Sequence, residues 1–200
     1  MNRKIPTVLS IWLAAALAVG AAGVFGRAPA PLVPVAIWTP VIAVLLVFWR
    51  SENFRAWVDG VDPRVLVAVH LTRFVGVWFL ILAARGALPA EFAVRGGWGD
   101  IAAAAGALVV LRLPLRKRAA RAALLVWNAF GLLDILMVVA TGARLLFTNA
   151  GSMGEMTKFP LVLLPLFVVP LVIATHLLIF AKLRRGSVGS RESRVESQKE

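Results

Sequence analysis

The 200-residue chain has no cysteine and no tyrosine, and only two histidines and ten acidic residues. Without cysteine there is no disulfide, no thiolate ligand, no lipoprotein anchor and no thiol nucleophile. Charged residues make up 16% of the chain, against about a quarter in an ordinary soluble domain. Apolar residues take their place at 60%, with a mean hydropathy of +0.84. They are gathered in long runs, which excludes a soluble single-core protein and, outside the tail, intrinsic disorder. Signatures of soluble enzymes are also missing: no Walker loop, dinucleotide fingerprint, nucleophile elbow or metalloprotease helix occurs. Gly96, Gly97 and Gly99 follow no strand and open no phosphate site. Enzymatic activity is therefore not the expectation.

Twenty-two Lys+Arg give a net charge of +12 and a pI near 11.7. In a soluble domain such an excess points to nucleic acid. Here the bases sit between apolar runs, where membrane topology explains them and nucleic acid is not expected as a partner. A spanning helix needs roughly 20 mostly apolar residues. Six segments qualify, near 5–25, 32–49, 65–84, 101–115, 122–147 and 159–181. The fold class expected is all-α: a polytopic membrane helix bundle of about six transmembrane helices over residues 1–185, with a disordered tail at 186–200. The first segment exceeds the h-region of a signal peptide and is read as an uncleaved helix.

Sixteen Lys and Arg fall on the side that holds both termini, the Arg50–Arg64 loop and the Arg112–Arg121 cluster; five fall on the other side. By the positive-inside rule both termini are cytoplasmic. The Arg-, Ala-, Val- and Gly-rich usage suggests a bacterium, which places the chain in a bacterial inner membrane with the lipid bilayer as its first partner. Ser51-Glu52 ahead of Phe54, Trp57, Val58 and Val61 reads as a short interfacial helix. The apolar connection Gly86–Asp100 reads as re-entrant or interfacial. Within it Glu91 and Asp100 are candidates for the outer mouth, and Asp100 also reads as a cap on the fourth span.

Ionisable groups inside a span are costly and face the bundle interior. This chain has His70 and Arg73 in the third span, Asp134 in the fifth and His176 in the sixth, with Asn128 as a neutral polar group. At about 1.5 Å rise per residue, His70, Asn128 and His176 share one layer about 9–10 Å from the inner ends of their helices. Arg73 lies near 13–14 Å and Asp134 near 20 Å, a gap of about 6 Å that an arginine can cover. Arg73 and Asp134 are therefore the candidate intramembrane ion pair. Pro160 is expected to start the sixth span, and Pro165 and Pro170 to free the carbonyls of Leu161 and Leu166.

The sequence combines His70-x-x-Arg73-x-x-Gly76, Gly86-x-Leu88-Pro89-x-x-Phe92-Ala93, Gly97-x-Gly99-Asp100, Asn128-x-x-Gly131-x-x-Asp134 and His176. This pattern resembles a group of small, uncharacterised bacterial multi-pass membrane proteins over about Val65 to Leu183. The resemblance implies location and carries no activity.

Three functional readings follow. The first is a small transporter-like or solute-binding bundle lined by His70, Arg73, Asn128, Asp134 and His176, with a small solute or protons as ligand and no cofactor or metal. The second is a membrane redox subunit with one haem b between His70 and His176. The third is a structural or assembly protein whose polar layer only fixes packing. Small-residue stripes at Ala16, Gly20 and Gly23 and at Ala102 and Gly106 suit close helix packing, and a homo-oligomer or membrane partner is compatible with them.

Overall fold

A computed structural model describes residues 4–115 and 117–196, with backbone alone for Lys4, Ala150 and 186–196. Arg3, Arg116 and Lys199 of the charge count, and residues 197–200 of the expected tail, lie outside the described residues. The described residues form eight α-helices and no strand. These are α1 (Lys4–Ala21), α2 (Leu32–Arg50), α3 (Glu52–Gly60), α4 (Pro63–Ala68), α5 (Gly76–Ala84), α6 (Ala90–Arg112), α7 (Arg118–Thr148) and α8 (Val169–Glu196). The helical backbone of α8 thus continues into the segment expected to be unstructured. A 3-10 segment, Val69–Val75, joins α4 to α5 into one rod, and a π-helical segment, Leu164–Val168, leads into α8.

Five helical stretches among the described residues are long and apolar enough to cross a membrane: Leu32–Arg50, Pro63–Ala84, Ala90–Arg112, Arg118–Thr148 and Leu164–Arg185. The apolar stretch Ile5–Ala21 is shorter. The largest departure from expectation is α6. It starts at Ala90, directly after Pro89, so Glu91 to Asp100 is helix rather than a re-entrant connection, and Asp100 lies mid-helix rather than at a cap. The segment carries Gly96, Gly97 and Gly99, and its apolar character read as a re-entrant or interfacial connection. Inside a helix packed on another, these glycines serve close approach.

The sixth span also differs at its start. Pro160 lies in the turn before the helix, and Pro165 falls inside the π segment. Both expected free carbonyls have partners. Leu166 O accepts a hydrogen bond from the indole of Trp12 at 3.0 Å, and Leu161 O accepts from Leu164 N at 2.9 Å. Neighbours therefore satisfy the proline break, as is usual for proline in packed helices. Trp12 also packs against Phe167 in a tilted pair with ring centres 4.7 Å apart, and Gly20 lets α1 close on Val162, where a Cβ would come within 2.9 Å. These contacts fasten α1 to the bundle. The short helix read after Ser51 is present as α3, with Ser51 Oγ accepting from Phe54 N at 3.2 Å.

Apolar packing divides along the helices. One cluster, around Val67, Val110, Leu124 and Ile179, lies toward Lys182. Another, around Phe79, Phe92, Leu145 and Leu164, lies toward Glu91. A third joins Ile37 and Val41 of α2 to Val172 and Ile173. On α7, residues 128–134 come between Leu124 and Leu145. On α8, Thr175 and His176 come between Leu164 and Ile179. The buried polar residues occupy this gap.

Candidate functional site: a buried polar layer

The layer begins with the 3-10 segment. At three residues per turn, side chains three apart eclipse, so His70 and Arg73 project in one direction. Arg73 is only 2% exposed and Asp100 only 3%. The guanidinium reaches two further helices. Its Nε donates to Asp100 Oδ1 of α6 at 2.7 Å, its Nη1 to the Gly131 carbonyl of α7 at 2.9 Å, and its Nη2 to Asp134 Oδ2 of α7. One cation is thus held by two carboxylates, not the one that the spacing suggested.

Glycines set this geometry. Gly76, three residues after Arg73, meets Gly97, three residues before Asp100. A Cβ on Gly97 would lie 2.8 Å from the Gly76 carbonyl oxygen. The two rods therefore cross in backbone contact one turn away from the charges. Gly99 makes room in the same way, since a Cβ there would overlap Asp134 Oδ1. Gly131 faces both His176 and Arg73, with its Cβ position 2.9 Å from Nε2 and 3.4 Å from Nη1.

The histidines, both fully buried, form the adjoining part of the layer. Asn128 brackets His176: its Nδ2 donates to the His176 carbonyl at 3.0 Å, and its Oδ1 lies 2.8 Å from His176 Nδ1. The backbone carbonyl requires the amide NH2 on its side, so Oδ1 is the acceptor and Nδ1 carries the hydrogen. His70 Nε2 lies 3.2 Å from Thr175 Oγ1. The single hydroxyl hydrogen of Thr175 is directed at the carbonyls of Leu171 and Val172, so His70 Nε2 carries the donated hydrogen. In each ring the remaining nitrogen makes no hydrogen bond of good geometry, and His176 Nε2 stands against the Gly131 backbone. These atoms, His70 Nδ1 and His176 Nε2, are the buried side-chain polar atoms without a partner among the described residues. Trp127 walls the pair: its ring packs edge-on to His70 at 5.0 Å, and its Nε1 donates to the Ala103 carbonyl at 2.9 Å.

Five expected residues, His70, Arg73, Asn128, Asp134 and His176, therefore come together. Asp100 joins them instead of lying at an outer mouth. Glu91 stays apart: it pairs at 2.6 Å with Arg144, both about half-exposed at the far end of α6. Thr175, Trp127 and the Gly131 carbonyl were missed. A hydroxyl next to His176 was the available signal for Thr175, whereas a backbone carbonyl leaves none.

The haem reading requires the imidazoles on opposite faces of a porphyrin, each about 2 Å from iron, with ring centres about 6 Å apart. The His70 and His176 centres are 4.0 Å apart and the rings touch directly, which leaves no gap for a macrocycle.

Of three cavities, one adjoins the layer. That cavity, of about 40 Å³, touches Arg73 and Asp100. It shares Phe92, Met156, Leu164 and Val169 with an apolar cavity of about 240 Å³. Toward Lys182, a basin of about 630 Å³ is lined by Asp62, Arg64, Arg121 and Lys182, with Leu124 and Ile179 between it and the histidines.

The chain belongs to the family described as a domain of unknown function, DUF8737, which matches residues 30–184. That stretch takes in α2, so it is wider than the Val65–Leu183 region expected to carry the resemblance. No curated protein and no solved structure matches the chain.

Proposed function

We propose that the chain is a six-span protein of a bacterial inner membrane with both termini cytoplasmic. We propose further that the layer of His70, Arg73, Asp100, Asn128, Asp134 and His176 is the working centre of a small transporter-like bundle that binds and passes a polar solute or protons. The apolar length of five helices and the outward faces of α6 and α7 support a bilayer setting: Val109, Val126, Leu133 and Met137 are each at least 60% exposed. The stretch Ile5–Ala21 spans about 26 Å of helix, within reach of a slightly thinned hydrocarbon core.

The observation that carries the reading is the count of charges on Arg73. A buried pair that only fixes helix register needs one carboxylate for one arginine. Here there are two, on two different helices, and two imidazole nitrogens alongside lack a hydrogen bond of good geometry. With both acids ionised the cluster is one negative charge in excess, a state that one bound proton or one cationic group neutralises. The same nitrogens favour this reading over a plain scaffold, where buried polar atoms are expected to be satisfied.

The test uses purified protein in liposomes under an imposed pH gradient and membrane potential, with an internal pH dye. The wild-type chain is expected to dissipate the gradient. Asp134→Asn and Asp100→Asn are expected not to, while retaining helical content and a monodisperse elution profile. Identical traces for wild type and both variants would sink the reading.

A further inference from the structure

We infer that Asp134 Oδ1, and neither oxygen of Asp100, is the atom on which the layer carries its proton, and that it lies at the bilayer-facing seam between α6 and α7 at Gly99. The inference rests on the reading of the layer as a working centre, and it adds which acid acts and where it lies.

The two carboxylates that share Arg73 are not equivalent. Asp100 is enclosed, with its side chain 5% exposed, whereas the Asp134 side chain is 16% exposed. Asp134 binds Arg73 through Oδ2 alone. Its Oδ1 has no hydrogen bond among the described residues and sits against Gly99, in the space that any larger residue at position 99 would fill with its Cβ. Phe130, Leu133 and Met137 on α7 and Trp98 on α6 are large exposed apolar residues within one turn of Asp134 or Gly99 in sequence, and Arg95, one turn before Gly99, is exposed as well. The carboxylate therefore has one oxygen committed to the arginine and a second beside Gly99, on a side chain that is partly exposed.

The charged groups held by or against it are Arg73 from the 3-10 segment and Asp100 from α6, and α6 also carries Arg95 one turn before Gly99. Behind Arg73 lie His176 of α8 and His70. Arg73 offsets one of the two carboxylates, so the cluster becomes neutral when a single proton binds. Uptake breaks an O–H bond of a hydronium ion and forms one at Oδ1 while Oδ2 keeps the hydrogen bond from Nη2, and release breaks that O–H bond and returns the proton to water. No electron moves and Arg73 need not let go.

The probe is dicyclohexylcarbodiimide, an apolar reagent that attacks protonated carboxyl groups reachable from the bilayer. The acid proton goes to a carbodiimide nitrogen, the carboxylate oxygen bonds to the central carbon, and the adduct rearranges to a stable acylurea. The full-length protein in lipid nanodiscs is treated, digested and mapped by mass spectrometry. Modification is expected at Asp134, at least tenfold above Asp100, and faster in acidic buffer. It should persist in Asp100→Asn and vanish in Asp134→Asn. Modification confined to Asp100, or modification of neither, overturns the inference, and the wild-type map alone decides if a variant fails to fold. The liposome assay reads flux and this one reads an atom. Labelled Asp134 without flux defeats the transporter reading only. Flux that depends on Asp134 while Asp100 takes the label defeats this inference only.

Discussion

Replacing Arg73 with Met separates a charge cluster from a packing element. The substitution keeps an unbranched apolar stem but leaves Asp100 and Asp134 facing each other on two helices with no cation between them. Removing one partner of a buried ion pair costs about 3–5 kcal/mol, because the charge left behind has neither water nor a counter-charge. At about 4 kcal/mol the folded-to-unfolded ratio falls by about a thousandfold. Nη1 also leaves the Gly131 carbonyl, but that oxygen lies within α7, so the loss adds little. The triple variant Arg73→Met, Asp100→Leu, Asp134→Leu removes all three charges and is expected to recover to within about 1 kcal/mol of wild type or to exceed it. The assay is reversible unfolding of bicelle-reconstituted protein by SDS titration, followed by helical circular dichroism. A cost below about 1 kcal/mol for Arg73→Met would refute the picture of a desolvated, charged cluster. A triple variant as unstable as the single one would show that the ions themselves hold the helix crossing.

Other substitutions test separate parts of the structure. Gly97→Ala places a Cβ 2.8 Å from the Gly76 carbonyl oxygen, backbone that cannot step aside, so it should cost about 1–3 kcal/mol in the same titration and lengthen the 2.7 Å Arg73–Asp100 bond. Trp12→Phe keeps a ring against Phe167 but strips the donor from Leu166 O, for an expected loss of about 1–3 kcal/mol that leaves helical content unchanged. Glu91→Gln breaks only the exposed pair with Arg144 and should move stability by less than about 1 kcal/mol. The absence of cysteine makes the chain its own background for topology mapping. A single cysteine at Asp62 should react with an impermeant maleimide only from the cytoplasmic face, and one at Glu91 only from the opposite face. Labelling of both from one side would contradict the proposed orientation.

The long apolar runs were legible because they need no tertiary information. Residues 32–49 and 65–84 correspond to helical stretches within a few residues. The polar layer was legible for a related reason. Counting residues from the basic helix ends placed His70, Asn128 and His176 at one depth, and helices of uniform rise do bring them together. The start of α6 was not legible, because Gly96, Gly97 and Gly99 carry the same local signal in a loop and in a helix pressed against another backbone. Distinguishing the two requires knowing what packs against them. The same ambiguity hid Asp100. Once position 101 is taken as the helix start, a carboxylate at 100 is a cap. With the start at Ala90 it is a buried acid nearly three turns in, aimed at Arg73.

The charges and the glycines cannot be assigned separate roles. Arg73 stands three residues before Gly76, Asp100 three after Gly97, and Asp134 three after Gly131. Each charged residue therefore lies about one turn from a glycine that brings a neighbouring helix or side chain close. The crossing of α5 and α6 at Gly76 and Gly97 sets the depth at which Arg73 meets Asp100, and the gap at Gly99 sets where Asp134 can lie. Substituting a glycine thus disturbs the fold and the charge geometry together, and loss of activity in such a variant says nothing about chemistry. Substituting Asp by Asn keeps shape and volume at the glycine contacts and changes only charge and proton capacity. A role in function, as distinct from assembly, can therefore be read only from the Asn variants, and most directly from Asp134→Asn, where the exposed oxygen becomes an amide group and the rest of the cluster keeps one cation for one carboxylate.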